Sequence, residues 1–171
     1  MHRDVAGDLG RSPTPRLSAG GGYMFLLNEG GLGGLGGQDG NQQDITGDIA
    51  FRMYGLSAEA SVLWRSTQVD RDGDGEADGE SETELGGAAS IGYMLPWFDL
   101  EARIRYSAFR TSILSLGADD VLNEEWTGGL AYYIGGAHPF KVQLSFTRRS
   151  ADFDGLTDSD LSGILALQAQ L

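Results

Sequence analysis

The sequence predicts an all-β protein, an antiparallel transmembrane β-barrel segment of eight strands with short turns at one end and long loops at the other. Three observations carry this expectation. Apolar and polar residues alternate with period two, which is the signature of a strand with two unlike faces. The alternating segments are long, most of them 11 to 13 residues. Short and long connections between them take turns along the chain.

Eight segments follow in order, at roughly 16–27, 44–54, 56–67, 83–95, 97–109, 123–135, 139–150 and 160–171. The third, "LSAEASVLWR", sets Leu56, Ala58, Ala60, Val62 and Trp64 against Ser57, Glu59, Ser61 and Arg65. The fifth, "WFDLEARIRYSAF", is the clearest. Phe98, Leu100, Ala102, Ile104, Tyr106 and Ala108 share one face; Asp99, Glu101, Arg103, Arg105 and Ser107 share the other. The seventh, "FKVQLSFTR", opposes Phe140, Val142, Leu144 and Phe146 to Lys141, Gln143, Ser145 and Thr147. The eighth, "LSGILALQAQL", opposes Leu161, Leu165, Leu167 and Leu171 to Ser162, Gln168 and Gln170.

A strand in a soluble sheet averages about 5–6 residues, whereas a tilted strand crossing a bilayer needs about 9–11. The connections point the same way. Tyr54-Gly55-Leu56, Leu95-Pro96-Trp97 and Gly135–Pro139 are tight, while 28–43, 68–82, 110–122 and 151–159 are long, polar and rich in glycine or acid. Strict alternation of this kind fits short periplasmic turns and long external loops better than a Greek-key sandwich. Aromatic residues on the apolar faces form two groups. Phe98, Phe140, Tyr93 and Tyr132 lie near the short turns; Trp64, Tyr106 and Trp126 lie towards the long loops. The step from Phe98 to Tyr106 spans about 20 Å along a tilted barrel, close to the apolar band of about 25 Å.

Composition narrows the function classes. A formal net charge of −13 disfavours nucleic acid as a partner. Cysteine is absent, so thiolate and disulfide chemistry are excluded. No apolar run reaches the ~18 residues of a membrane helix. The start, "MHRDVAGDLGRSPTPR", lacks the apolar core of a signal peptide. Residues 1–13 therefore read as a poorly ordered leader or tail, and 14–171 as the strands.

"LNEEWTGGLAYYIGGAHPFKVQLSFTRRSADF" resembles the closing hairpin of the phosphate-selective porins O and P, in which an E-x-T-x-G-L-x-Y-Y strand turns into K-x-Q-x-x-Y-x-R. "DLEARIRYSAF" resembles the strand before it, "GDIAFRMYGLSAEASVLWRST" an earlier hairpin, and "PTPRLSAGGGYMF" the strand leading in. The likeness runs over nearly the whole chain but matches only the C-terminal half of a barrel of about sixteen strands. Two features depart from the family: Leu171 stands where an aromatic residue usually closes the last strand, and the first half of the barrel has no counterpart. The resemblance implies a piece of a larger porin in the bacterial outer membrane, with lipid and lipopolysaccharide as surroundings, small anionic solutes as cargo and a homotrimer as an assembly to test. Eight strands can also close alone, because eight is a workable barrel number.

Chemistry-bearing motifs are few. "DRDGDGEADG" spaces Asp70, Asp72, Asp74, Glu76 and Asp78 as in the first half of a calcium loop, with Gly75 at the sharp turn. Ser81 stands where a bidentate Glu would complete an EF-hand, and strands rather than helices flank the segment. It reads as an acidic external loop with Ca2+ as an optional ligand; no cofactor is required. "GLGGLGG" satisfies G-x-G-x-x-G at Gly31, Gly33 and Gly36, but loop residues follow it where a nucleotide site needs a helix. His2 and His138 are the two histidines, and no serine pairs clearly with His138, so the chain reads as non-enzymatic.

On the polar faces, Arg52, Arg65, Arg103, Arg105, Lys141 and Arg149 form a basic set, with Asp99 and Glu101 beside it. These eight are the expected pore-lining residues, because charged rings set selectivity in channels. The expected function is a passive outer-membrane pore for small hydrophilic, anionic solutes such as phosphate. The alternatives are a small closed eight-stranded barrel with a structural or adhesive role, and a secreted β-domain that binds calcium.

Overall fold

The computed structural model describes residues 11–28, 40–69, 81–111, 121–134, 140–153 and 156–169. The chain forms one antiparallel sheet: β1 (Arg16–Asn28), β2 (Gly40–Met53), β3 (Leu56–Val69), β4 (Glu82–Met94), β5 (Leu100–Thr111), β6 (Val121–Tyr133), β7 (Phe140–Phe153) and β8 (Leu156–Ala169). Spatial order equals sequence order, so the sheet is a plain meander with β1 and β8 at its edges. Each strand is 12 to 14 residues long. Registers run without interruption, from Arg16↔Arg52 to Asn28↔Gly40 in the first pair and from Phe140↔Ala169 to Phe153↔Leu156 in the last.

The register carries the two-faced pattern from strand to strand. Ile104 lies between Ile91 and Gly128, whereas Arg105 lies between Ser90 and Thr127. One face displays Ile49, Val62, Ile91, Ile104, Leu130, Leu144 and Leu165, all at least 40 % exposed. On the other face, buried polar residues appear instead: Gln42, Asp44, Ser57 and Glu101. Among the exposed large apolar side chains of the strands, three break the rule. Met24, Leu26 and Ile164 stand exposed on the polar face, and all three belong to the edge strands.

The polar face is concave. Residues from β2 (Asp48) through β5 (Arg105) to β8 (Asp160) line one cavity of about 790 Å³. A flat sheet would hold β2 and β8 about 29 Å apart, six strand spacings, so sharing one cavity requires the sheet to curl. The only buried apolar cluster among the described residues, Met94, Ala131 and Tyr133, lies inside this curl at the end where the shorter turns are.

Turn chemistry explains the ends. Tyr54 and Gly55 both take positive φ, 51° and 84°, as a two-residue type I′ hairpin demands. A Cβ on Gly55 would also press on the Met94 carbonyl at 3.2 Å. The β4–β5 turn runs from Leu95 to Asp99, closed by Leu95 N–H donating to the Leu100 carbonyl at 2.9 Å. Pro96 has no N–H to continue a ladder. The expected fifth segment therefore starts three residues late, and Trp97 and Phe98 project from the turn at 84 % and 62 % exposure. Phe98 is thus not in the strand's aromatic row.

The strict alternation of short and long connections fails at one place. β7 continues to Phe153 and β8 starts at Leu156, so two residues replace the expected long loop 151–159. Backbone pairing is indifferent to side-chain polarity, and Asp152↔Thr157 and Ala151↔Asp158 extend the ladder through a polar stretch that the sequence marks as loop. β2 likewise begins at Gly40, four residues before the expected start. Residues 11–13, assigned above to the tail, are tied to the sheet: Tyr54 N–H donates to the Ser12 carbonyl at 2.9 Å. Arg11 reaches the β4–β5 turn, donating to the Pro96 carbonyl at 2.6 Å and to the Leu95 carbonyl.

Candidate functional site

All the expected pore-lining residues within strands share the concave face, as register dictates. Their pairing divides them. Arg65 on β3 is clamped between its two direct cross-strand neighbours, Asp44 on β2 and Glu84 on β4. Its Nε donates to Asp44 Oδ1 at 2.9 Å and its Nη2 to Asp44 Oδ2 at 3.2 Å, a bidentate fork; Nη1 reaches Glu84 Oε2 at 3.4 Å. Gln42 Nε2 adds donors to the same Asp44 carboxylate at 3.0 and 3.2 Å. Arg149 on β7 sits in the matching setting, with Glu125 on β6 and Asp160 on β8 as its register partners. Its Nε donates to Glu125 Oε2 at 2.8 Å.

Arg103 pairs within its own strand, Nη2 to Glu101 Oε1 at 3.1 Å. Glu101 is only 4 % exposed, so its charge requires partners. Tyr133 Oη supplies a second, donating to Oε2 at 2.6 Å. Gly92, on the neighbouring strand, leaves the space for this cluster. A Cβ there would stand 2.6 Å from Glu101 Oε1 and 2.8 Å from Ser57 Oγ.

Arg105 differs from these three. It lies near the middle of β5 and lines the 790 Å³ cavity. No ion pair forms to it among the described residues. Arg52 lies at the short-turn end beside Ser57, with Nε buried and, among the described residues, without a hydrogen-bond partner. Glu59, one diagonal step away, buries an Oε1 that is likewise unpartnered among the described residues. Lys141 opens β7 opposite Tyr133 and Gln168. Asp99 lies exposed in the bend before β5, where its carbonyl accepts from Tyr133 N–H at 2.8 Å.

The calcium-loop residues Asp70, Asp72, Asp74, Glu76 and Asp78 lie outside the described residues, as do His2 and His138. Among the described residues no cluster of three His, Cys, Asp or Glu side chains could hold a metal ion.

Sequence reading missed Asp44, Glu125 and Tyr133. Parity gives the signal for the last: in Tyr132-Tyr133 one ring must face each way, and the inward ring is the one beside Glu101. Asp44 and Glu125 become visible only once register sets them opposite Arg65 and Arg149. Phe109 is a further inward aromatic, packed over Gly86, where a Cβ would meet its ring at 2.9 Å.

On the convex face, the Tyr106 and Trp126 rings are direct cross-strand partners with centroids 4.6 Å apart. Tyr106 Oη donates to Glu124 Oε1 at 2.5 Å. Comparison with known proteins gave no match to a family model, a curated protein or a solved structure.

Proposed function

We propose that the chain forms the wall of an outer-membrane β-barrel pore, with the convex face in lipid and the concave face lining a passive path for small hydrophilic solutes. The observation that carries this reading is the sidedness of exposure. Large apolar side chains along strands of 12 to 14 residues stand open to the surroundings on one face. Ion-paired side chains and buried polar groups occupy the other. In water such an apolar face would be unstable; in a bilayer it is what a barrel wall requires. Tyr93, Tyr132 and Phe140 lie at the short-turn ends of β4, β6 and β7, where one aromatic girdle would sit, while the Tyr106–Trp126 pair lies within one residue of the midpoints of β5 and β6.

The edges of β1 and β8 carry unpaired backbone groups in this arrangement, and each such group costs several kcal/mol in hydrocarbon. In the membrane they pair with each other or with further strands. The resemblance to phosphate-selective porins favours further strands. A second reading, a small closed barrel with a filled interior, draws support from Met94, Ala131, Tyr133 and Glu101, which pack the short-turn end.

Planar-bilayer recording separates the two. The pore reading expects discrete conductance steps whose reversal potential in a KCl gradient responds to Arg105, the cavity-lining arginine that carries no ion pair among the described residues. Arg105→Glu should move the reversal potential towards cation preference. A bilayer that remains silent with correctly inserted protein favours the filled barrel.

A further inference from the structure

The charges on the concave face are sorted by height. Towards the short-turn ends of their strands stand Arg16, Arg52, Arg103, Arg105 and Lys141, against Asp48, Glu59 and Glu101. Towards the long-loop ends stand Asp44, Glu82, Glu84, Glu125, Asp158 and Asp160, against Arg65 and Arg149. One half therefore has an excess of cations and the other an excess of carboxylates. Cross-strand register produces this: the acids on β2, β4, β6 and β8 fall on neighbouring levels because every hairpin keeps its ladder unbroken.

We infer that this face is an electrically bipolar conduit, which passes current more readily in one direction than in the other. The inference rests on the pore reading above. When the long-loop side is held positive, cations enter through the acidic half and anions enter through the basic half. Both carriers accumulate where the halves meet, near Arg105 and Asp48, and conductance rises. With the opposite polarity both carriers are drawn out of the junction and it depletes. A cavity walled by low-dielectric protein focuses these fields. Salt shortens their range, from about 30 Å at 0.01 M to about 3 Å at 1 M.

The ion-paired residues do not cancel the effect, because pairing within a level leaves each level's net charge unchanged. Asp158 and Asp160 on β8 and Arg105 on β5 contribute most directly, since all three line the cavity itself.

The test is the current–voltage curve of the full chain inserted in one orientation into a planar bilayer, recorded in symmetrical 0.01 M and 1 M KCl. The expected result is a current ratio of about two or more at 0.01 M, larger with the long-loop side positive, and near one at 1 M. Asp158→Asn/Asp160→Asn and, independently, Arg105→Gln should each bring the low-salt ratio towards one while channels persist. Conducting channels that are ohmic at 0.01 M, that rectify in the opposite sense, or whose ratio ignores both variants overturn the bipolar assignment and leave the pore reading intact. Silence from inserted protein overturns the pore reading and this inference together.

Discussion

Tyr133 Oη and Glu101 Oε2 meet at 2.6 Å inside the curl, joining the end of β6 to the start of β5. Both residues are almost fully buried, at 1 % and 4 % exposure. Strand pairing sets this contact: Glu101 lies opposite Ala131, one inward position from Tyr133. Tyr133→Phe keeps the ring but leaves the carboxylate to Arg103 alone. The expected loss is about 1–3 kcal/mol, read as a lower urea midpoint for the protein in detergent micelles. Unchanged stability would mean that water replaces the phenol.

Arg65 and its two acids offer an asymmetric test. Asp44 is nearly buried and Arg65 is about a third exposed, with side-chain exposures of 9 % and 36 %. Arg65→Met removes the fork from a carboxylate that has only Gln42 left, with an expected cost of about 1–2 kcal/mol. Asp44→Asn should cost less, because Arg65 keeps Glu84 and contact with water. Equal losses in micelle unfolding would contradict the burial difference.

Gly128 and Gly129 are neighbours on β6 with opposite faces and opposite surroundings. A Cβ on Gly128 meets nothing within 4 Å, whereas one on Gly129 would lie 2.8 Å from the Leu144 backbone carbonyl. Gly128→Ala should be neutral or stabilising by about 0.4–1 kcal/mol through the unfolded chain. Gly129→Ala must push β7 away and should lose about 1–3 kcal/mol. The urea midpoint should fall for Gly129→Ala and hold or rise for Gly128→Ala, and an unchanged midpoint for Gly129→Ala would overturn the close approach there.

Ile104 lies on the convex face near the middle of β5, flanked by Ile91 and Gly128. Ile104→Arg should cost about 2–4 kcal/mol if that face meets the bilayer midplane. Ser107→Arg, on the concave face, should insert normally. The measurement is the folded fraction in lipid vesicles across a urea series; equal tolerance of both substitutions would argue against a lipid-facing convex surface.

The fold was legible in the sequence wherever side-chain alternation and backbone pairing coincide. In β5, Arg103, Arg105 and Ser107 alternate with Ile104, Tyr106 and Ala108, and the pattern alone places each on its face. It failed where pairing outruns the pattern: at β7–β8, where Asp152 and Asp158 read as loop yet lie in the ladder, and at Asp99, which reads as strand but lies in the turn after Pro96. The basic residues of the concave face were legible as a set because parity is a local property. Their partners were not, because Asp44–Arg65 and Glu125–Arg149 depend on inter-strand register, which a single strand does not encode. Curvature of the sheet has no signature in any one segment.

The chain has no cysteine, which allows single cysteines to be placed at each position from Ala102 to Ala108 and spin-labelled in lipid vesicles. Collision rates with oxygen, which partitions into lipid, and with a water-soluble nickel chelate report the surroundings of each label. Oxygen should dominate at 102, 104, 106 and 108 and nickel at 103, 105 and 107, in step with the register. Nickel access at every position, or the inverse alternation, would contradict a wall with lipid on its convex face and water on its concave one.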